Sequence, residues 1–243
     1  MNLFNFDQQN QLTRRARKGR ISYDLVVFGL VALGLGLAAS YLFTPAGMPI
    51  RGALAHLFAL TSDQAMWYLT RAAGMMAYLL LWLSTVWGLL IPSRLFGNVL
   101  NGEFSFDFHQ FISLLSLGFL GLHIVVLTAD RYLPFSVAQL LVPFISPYRP
   151  LWVGIGIVAF YLLLLVTVTF YLRKQIGMKT FRYIHYLSLL AYLGAVGHAL
   201  FSGADSSLPV VMLIYIGTFS VVVFLTVYWL VKAWINHPVK AAS

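Results

Sequence analysis

Four histidines carry the chemistry that this 243-residue sequence has to explain. His109 and His123 are 14 residues apart, and His185 and His198 are 13 apart. All four lie in or at the ends of long uncharged stretches. Imidazole ligates metals, moves protons and hydrogen-bonds to neighbours. A proton relay inside a membrane would need Asp or Glu partners, and none occurs from Gln110 to Ala129 or from Tyr183 to Ala204. Structural zinc is disfavoured, because no carboxylate or thiol lies at the same depth and the chain has no cysteine. Lack of cysteine also excludes disulfides, iron–sulfur clusters, thiol nucleophiles and thioether-attached haem. A b-type haem suits the residues present, since it needs two neutral imidazoles on opposite axial positions and no covalent link. Ser113, Ser116, Gly118, Gly121, Ser188, Gly194 and Ala195 are small neighbours that would leave room for a flat macrocycle. The plain alternative is that the four rings are packed side chains bonded to adjacent helices.

The elements that must position these histidines follow from composition. Hydrophobic residues make up 60% of the chain and charged residues only 9%, with a mean hydropathy of +0.83. A soluble domain carries about 25% charged residues, so neither a water-soluble fold nor disorder fits. Charges divide the sequence into six neutral runs: Leu25–Phe43, Ala72–Ile91, Gln110–Ala129, Leu151–Leu172, Tyr183–Ala204 and Ser206–Val231. Each is long enough to cross about 30 Å of hydrocarbon as a helix. The alternating polarity of membrane strands is not seen. The expected fold is therefore all-α, an integral membrane six-helix bundle. Residues 1–20 form a basic N-terminal segment, 21–235 the six-span domain and 236–243 a short tail.

Lys and Arg fix the expected orientation. With both termini cytoplasmic, 12 of the 16 basic residues lie inside, and only Arg51, Arg71, Arg131 and Arg149 lie outside. The formal charge of +9 then reflects topology and contact with the lipid bilayer, and no nucleic-acid partner is expected. The first run is read as a retained helix rather than a cleaved signal. Between Thr128 and Pro150, the apolar stretch from Val137 to Phe144 suits a short interfacial helix. Gly34, Gly36 and Ala39, and likewise Gly154, Gly156 and Ala159, mimic a dinucleotide-binding pattern. That pattern acts only at a strand-to-helix turn, so inside a span these are small residues for close helix packing.

Spans three and five run in the same direction, so His109 and His185 share one depth and His123 and His198 another. Fourteen residues rise about 21 Å and thirteen about 19.5 Å. Fourteen residues end roughly 40° short of four turns, so His109 and His123 share a face. Thirteen end about 140° short, which requires tilt or a distortion near Gly194 and Gly197.

The segment from Phe108-His109 to His123, the segment Phe181-Arg182-Tyr183-Ile184-His185 through His198, and Leu69-Thr70-Arg71-Ala72-Ala73-Gly74 together resemble the third, fifth and second spans of the ferric reductase-like transmembrane family. That family includes the membrane parts of NADPH oxidases and ferric reductases and the haem-binding membrane subunit of the bacterial methionine-sulfoxide reductase system. The resemblance runs from about Tyr68 to Leu230, and the paired-histidine spacing is its specific part. It implies two haem b, with one as the variant seen in some members. His109 with His185 would hold the inner iron and His123 with His198 the outer. Arg71 would lie beside the outer haem as a further cofactor-binding residue. The oxidases and ferric reductases continue into a flavin and nicotinamide domain; this sequence, ending at Ser243, is more similar to the short bacterial members.

The expected activity is single-electron transfer across a bacterial inner membrane. The donor would be a cytoplasmic flavoprotein, a loosely bound flavin or a quinol, and the acceptor an outer-face metal, oxygen or protein. Phe119 and Tyr192 fall between the two depths and would shorten the gap. Arg94, Lys174, Lys179 and Arg182 would favour propionates, a flavin phosphate or an acidic partner at the inner face. His56 and His237 are read as solvated residues. The rival readings are a quinol-linked cytochrome b anchor subunit and a non-redox transporter or scaffold; a transporter would show broken spans with polar midplane sites.

Overall fold

The computed structural model describes Pro49 and residues 65–93, 102–128 and 134–235. The expected span Leu25–Phe43, the basic segment 1–20, the tail 236–243, His56 and His237 lie outside the described residues. All described helices belong to one compact unit, Asp63–Ser243.

Every regular element among the described residues is helical. In chain order they are α1 (Ala65–Ser93), α2 (Gly102–Thr128), α3 (Val137–Leu141), α4 (Pro150–Ile176), α5 (Met178–His185), α6 (Leu187–Ser202), a 3₁₀ turn (Ala204–Ser207) and α7 (Pro209–Ile235). Five segments are long and apolar enough to cross a membrane: Met66–Pro92, Glu103–Thr128, Pro150–Ile176, Met178–Ser202 and Pro209–Ile235. The chain is thus a multi-pass integral membrane protein, and five of the six expected spans fall on helices.

Helix ends follow from local chemistry. Pro150 opens α4 at a position where its missing N–H costs nothing. Arg173 and Lys174 occupy the last turn of α4, where cations meet the negative end of the helix dipole. Gly177 then takes φ +85°, a conformation open to glycine but strained for other residues, and the chain breaks into α5. The short helix expected after Thr128 is α3. Ser136 and Gln139 cap it reciprocally, each side chain bonding the other's backbone N–H. Charge-based boundaries differ from the helices in one useful way. The second run was bounded at Arg71, yet α1 begins before it, since nothing in Met66–Arg71 interrupts a helix.

Two antiparallel hairpins build the bundle. α1 lies along α2, and α4 lies along α6, while α7 packs mainly on α1 and α1 also meets α6. At the junction sits a buried cluster of Tyr78, Leu81, Tyr192, Val196, Tyr215 and Val222. Tyr192 is fully enclosed. Its ring stacks at 6.3 Å on Tyr78, which meets Tyr215 edge-on at 5.2 Å. The Tyr78 hydroxyl shares a 2.6 Å hydrogen bond with the Thr218 hydroxyl, joining α1 to α7. Outward faces carry exposed Phe224, Leu213, Val210 and Trp234, as helices do where lipid rather than protein surrounds them.

Replacing Tyr78 with Phe removes the interhelix hydrogen bond but keeps the ring packing. The expected cost is about 0.6 to 1 kcal/mol, read as a lower unfolding midpoint in a denaturing-detergent titration. Tyr78→Ala should cost several-fold more.

Candidate functional site

The four histidines come together as two pairs. His109 from α2 faces His185 at the end of α5, with ring centroids 6.1 Å apart and planes at 76°. His123 from α2 faces His198 from α6, at 6.4 Å and 80°. A direct N–H···N bond between imidazoles would hold the centroids at roughly 5 Å. Two imidazoles bound through nitrogen to opposite sides of one metal, each at about 2 Å, place them roughly 6 Å apart. Both observed separations are too long for the first case and fit the second, a range that edge-to-face ring packing also spans.

Part of the 13-residue mismatch on the fifth span is taken up by a break in the helix. α5 stops at His185 and α6 starts at Leu187, with the Leu189 N–H bonding back to the Tyr186 carbonyl three residues earlier. A three-residue turn winds about 120° per residue instead of 100°. It therefore adds rotation in the sense needed to bring His185 and His198 round to facing partners. The distortion expected near Gly194 and Gly197 is not there: α6 is continuous through both. Those glycines serve close packing instead, Gly194 against Ala159 and Ile155 and Gly197 against Trp152.

Three of the rings lie directly on the backbone of a neighbouring helix, and glycine makes that approach feasible. A Cβ placed on Gly74 would sit 2.9 Å from the His123 Nδ1, and one on Gly156 would sit 2.5 Å from the His198 Nδ1. A Cβ on Gly88 would meet the His109 Cε1 at 3.1 Å. Each ring reaches toward the residue one turn before its glycine. His123 Nδ1 bonds the Thr70 carbonyl at 2.8 Å. His198 Nδ1 bonds the Trp152 carbonyl at 2.9 Å. His109 Nδ1 lies 3.4 Å from the Ser84 hydroxyl. In an α-helix the carbonyl of residue i−4 lies beneath residue i, so the absence of a side chain at i uncovers it. The Thr70 hydroxyl answers by donating to the His123 carbonyl at 2.9 Å, so α1 and α2 are clasped reciprocally at this level.

These bonds decide which nitrogen is left. A carbonyl only accepts, so Nδ1 of His123 and of His198 carries the hydrogen and Nε2 keeps its lone pair. That is the arrangement in which metal-binding histidines are held, with the distal N–H anchored on a carbonyl. Among the described residues, no group of three or more His, Asp or Glu side chains is placed to hold a metal by protein ligands alone.

A cavity opens at the His123–His198 level. Gly74, Gly156, Ala195 and Ser116 line its walls, and Tyr78 and Tyr215 also border it. Arg71 and Asp205 line it too and form an ion pair, with Arg71 Nε 2.8 Å from Asp205 Oδ2. Arg71 also lies over the Tyr68 ring. Arg71 lines the same cavity as His123 and His198, and its ion-pair partner is a carboxylate from the turn before α7. Tyr192 lies in the buried cluster, about midway along the fifth span between His185 and His198. Phe119 is half-buried and lines neither that cluster nor the cavity.

Sequence reasoning missed the three glycine seats, the carbonyls of Thr70 and Trp152, and Asp205. One signal was available: Gly74 and Gly88 are 14 residues apart, the same spacing as His123 and His109 on the antiparallel neighbour.

Glycines within the spans will respond in opposite ways to an added methyl group. Gly156→Ala should destabilise the chain by about 1–3 kcal/mol through overpacking against His198. Gly118→Ala and Gly217→Ala, where an added Cβ meets nothing within 4 Å, should be neutral or stabilise by up to about 1 kcal/mol through helix propensity. Unfolding midpoints of the three variants check this. No family model, characterised protein or solved structure matches this chain.

Proposed function

We propose that this chain is a b-type membrane cytochrome that carries single electrons across the bilayer. One observation carries the reading: two histidine pairs share one ring separation and near-perpendicular planes and stand about 20 Å apart by helix rise. A pair of imidazoles is too few to hold a metal by protein alone, but would complete the coordination of an iron carried in a macrocycle. His109 and His185 would hold one haem, and His123 and His198 the other. Haem b supplies a one-electron iron couple when bound.

The remaining work falls to the protein's own residues. The Thr70 and Trp152 carbonyls orient the outer imidazoles and make them better donors. Gly74 and Gly156 keep the space beside those rings clear. Arg71, already neutralised by Asp205, offers donors toward a carboxylate at the cavity. The tyrosine cluster excludes water between the two levels and fills the gap with densely packed aromatic groups.

The proposal includes six spans with both termini cytoplasmic and membership of the ferric reductase-like transmembrane family. Electrons would enter from a flavoprotein, flavin or quinol at the cytoplasmic face of a bacterial inner membrane and leave to a metal, oxygen or protein outside. The intramembrane ionisable groups favour this over a transporter, because they are paired imidazoles at two depths rather than one polar site at the midplane.

Reduced-minus-oxidised spectra of the purified chain test it. Sharp b-type bands are expected, with two haems per chain by pyridine haemochrome, falling to one in His109→Ala and in His123→Ala. A folded, colourless protein from haem-replete cells defeats the reading.

A further inference from the structure

The two histidine pairs are not equally held. His123 and His198 each have a carbonyl on Nδ1 and a glycine beneath the ring. His109 has the Ser84 hydroxyl and the Gly88 seat. His185 has neither. Its Nδ1 is buried without a hydrogen-bond partner, and none of the described glycines lies against its ring. The helix opposite offers aromatic surface in this region: Phe170 meets Phe181 at 6.0 Å, and Phe181 meets the His185 ring at 5.3 Å.

The element that carries His185 is also the least anchored. α5 has no buried residue, whereas α6 buries Ala191, Tyr192, Val196 and Ser202. Gly177 sets α5 off at one end and the tight turn at Tyr186 at the other. Its principal neighbours are α4 and α6, the helices to which it is directly joined. His109, in contrast, sits on a long helix clasped to α1 through Ser84, Ser113 and Ser116.

An imidazole without an acceptor on its distal N–H is a poorer donor and is free to turn. We infer that His185 is a displaceable ligand, so that the metal site it shares with His109 takes an exogenous small neutral ligand while the His123–His198 site stays closed. This rests on the proposal that the pairs hold haem. The exchange would balance as one bond for another: the bond from His185 to iron would break, the bond to the incoming ligand would form, and His109 would stay in place.

Carbon monoxide added to the dithionite-reduced, purified full-length chain is the probe, read as the fraction of total haem whose Soret band shifts. With two haems bound, about half should react. That reactive half should persist in His185→Ala, whose iron keeps His109, and should disappear with its haem in His109→Ala. Gly156→Ala, which crowds His198, should raise the reactive fraction above the wild-type value or remove the inert haem. If two haems are bound and neither reacts, or if reactivity first arises in His185→Ala, the inference is overturned while the cytochrome reading stands. If one haem is bound, it should be inert, be retained in His109→Ala and be lost in His198→Ala; the reverse pattern also overturns the inference. A chain that binds no haem overturns both.

Discussion

The close approach of an imidazole to a bare helix backbone is the constraint on which the site depends. A helix normally hides its carbonyls beneath the side chains one turn on. Where that next residue is glycine, the carbonyl becomes an acceptor for a group on another helix. Gly74 and Gly156 create this opening for His123 and His198, and the carbonyls of Thr70 and Trp152 fill the distal valence of each ring. In hydrocarbon an unpaired N–H is costly, so these contacts settle ring orientation, tautomer and helix spacing together. The hairpins α1–α2 and α4–α6 are each fixed in register by one such contact.

A symmetric principle with one exception follows. Three of the four histidines sit on a glycine of a partner helix and reach the residue one turn before it, two through its carbonyl and His109 through the Ser84 hydroxyl. The fourth lies on a short helix with no buried residue, set off from α4 by Gly177 and packed mainly on the helices it is joined to. The His123–His198 level is therefore built into the two hairpins themselves, and the His109–His185 level is completed by a segment attached to one of them.

The fold was legible in the sequence to the extent that hydrophobicity dictates it. The five charge-free runs that fall among the described residues became helices, and Val137–Leu141 became the short helix that its apolar stretch and flanking prolines suggested. The pairing of His109 with His185 and of His123 with His198 followed from spacing, rise and common direction. What spacing does not encode is an acceptor made of backbone, since Thr70 and Trp152 contribute their carbonyls and any residue has one. Gly156 was legible as a packing residue but not as a seat, because a small residue in a span looks the same in both roles. The break at Tyr186 carried no glycine or proline to announce it. The glycines nearby, Gly194 and Gly197, drew the expectation of a distortion that their tight contacts with Ala159 and Trp152 instead explain.

The Arg71–Asp205 pair bears on the order of assembly. Its partners are 134 residues apart in sequence, one on the first described helix and the other on the turn leading into the last. Contacts within each hairpin close short loops and form early, whereas this one closes a long loop whose entropy must be offset by everything docked before it. Both charges line the cavity, each only partly exposed, so docking strips water from each and the opposite charge offsets that loss. The clasp therefore records a finished bundle: it forms only after both hairpins have met, and it resists their parting from the moment it does.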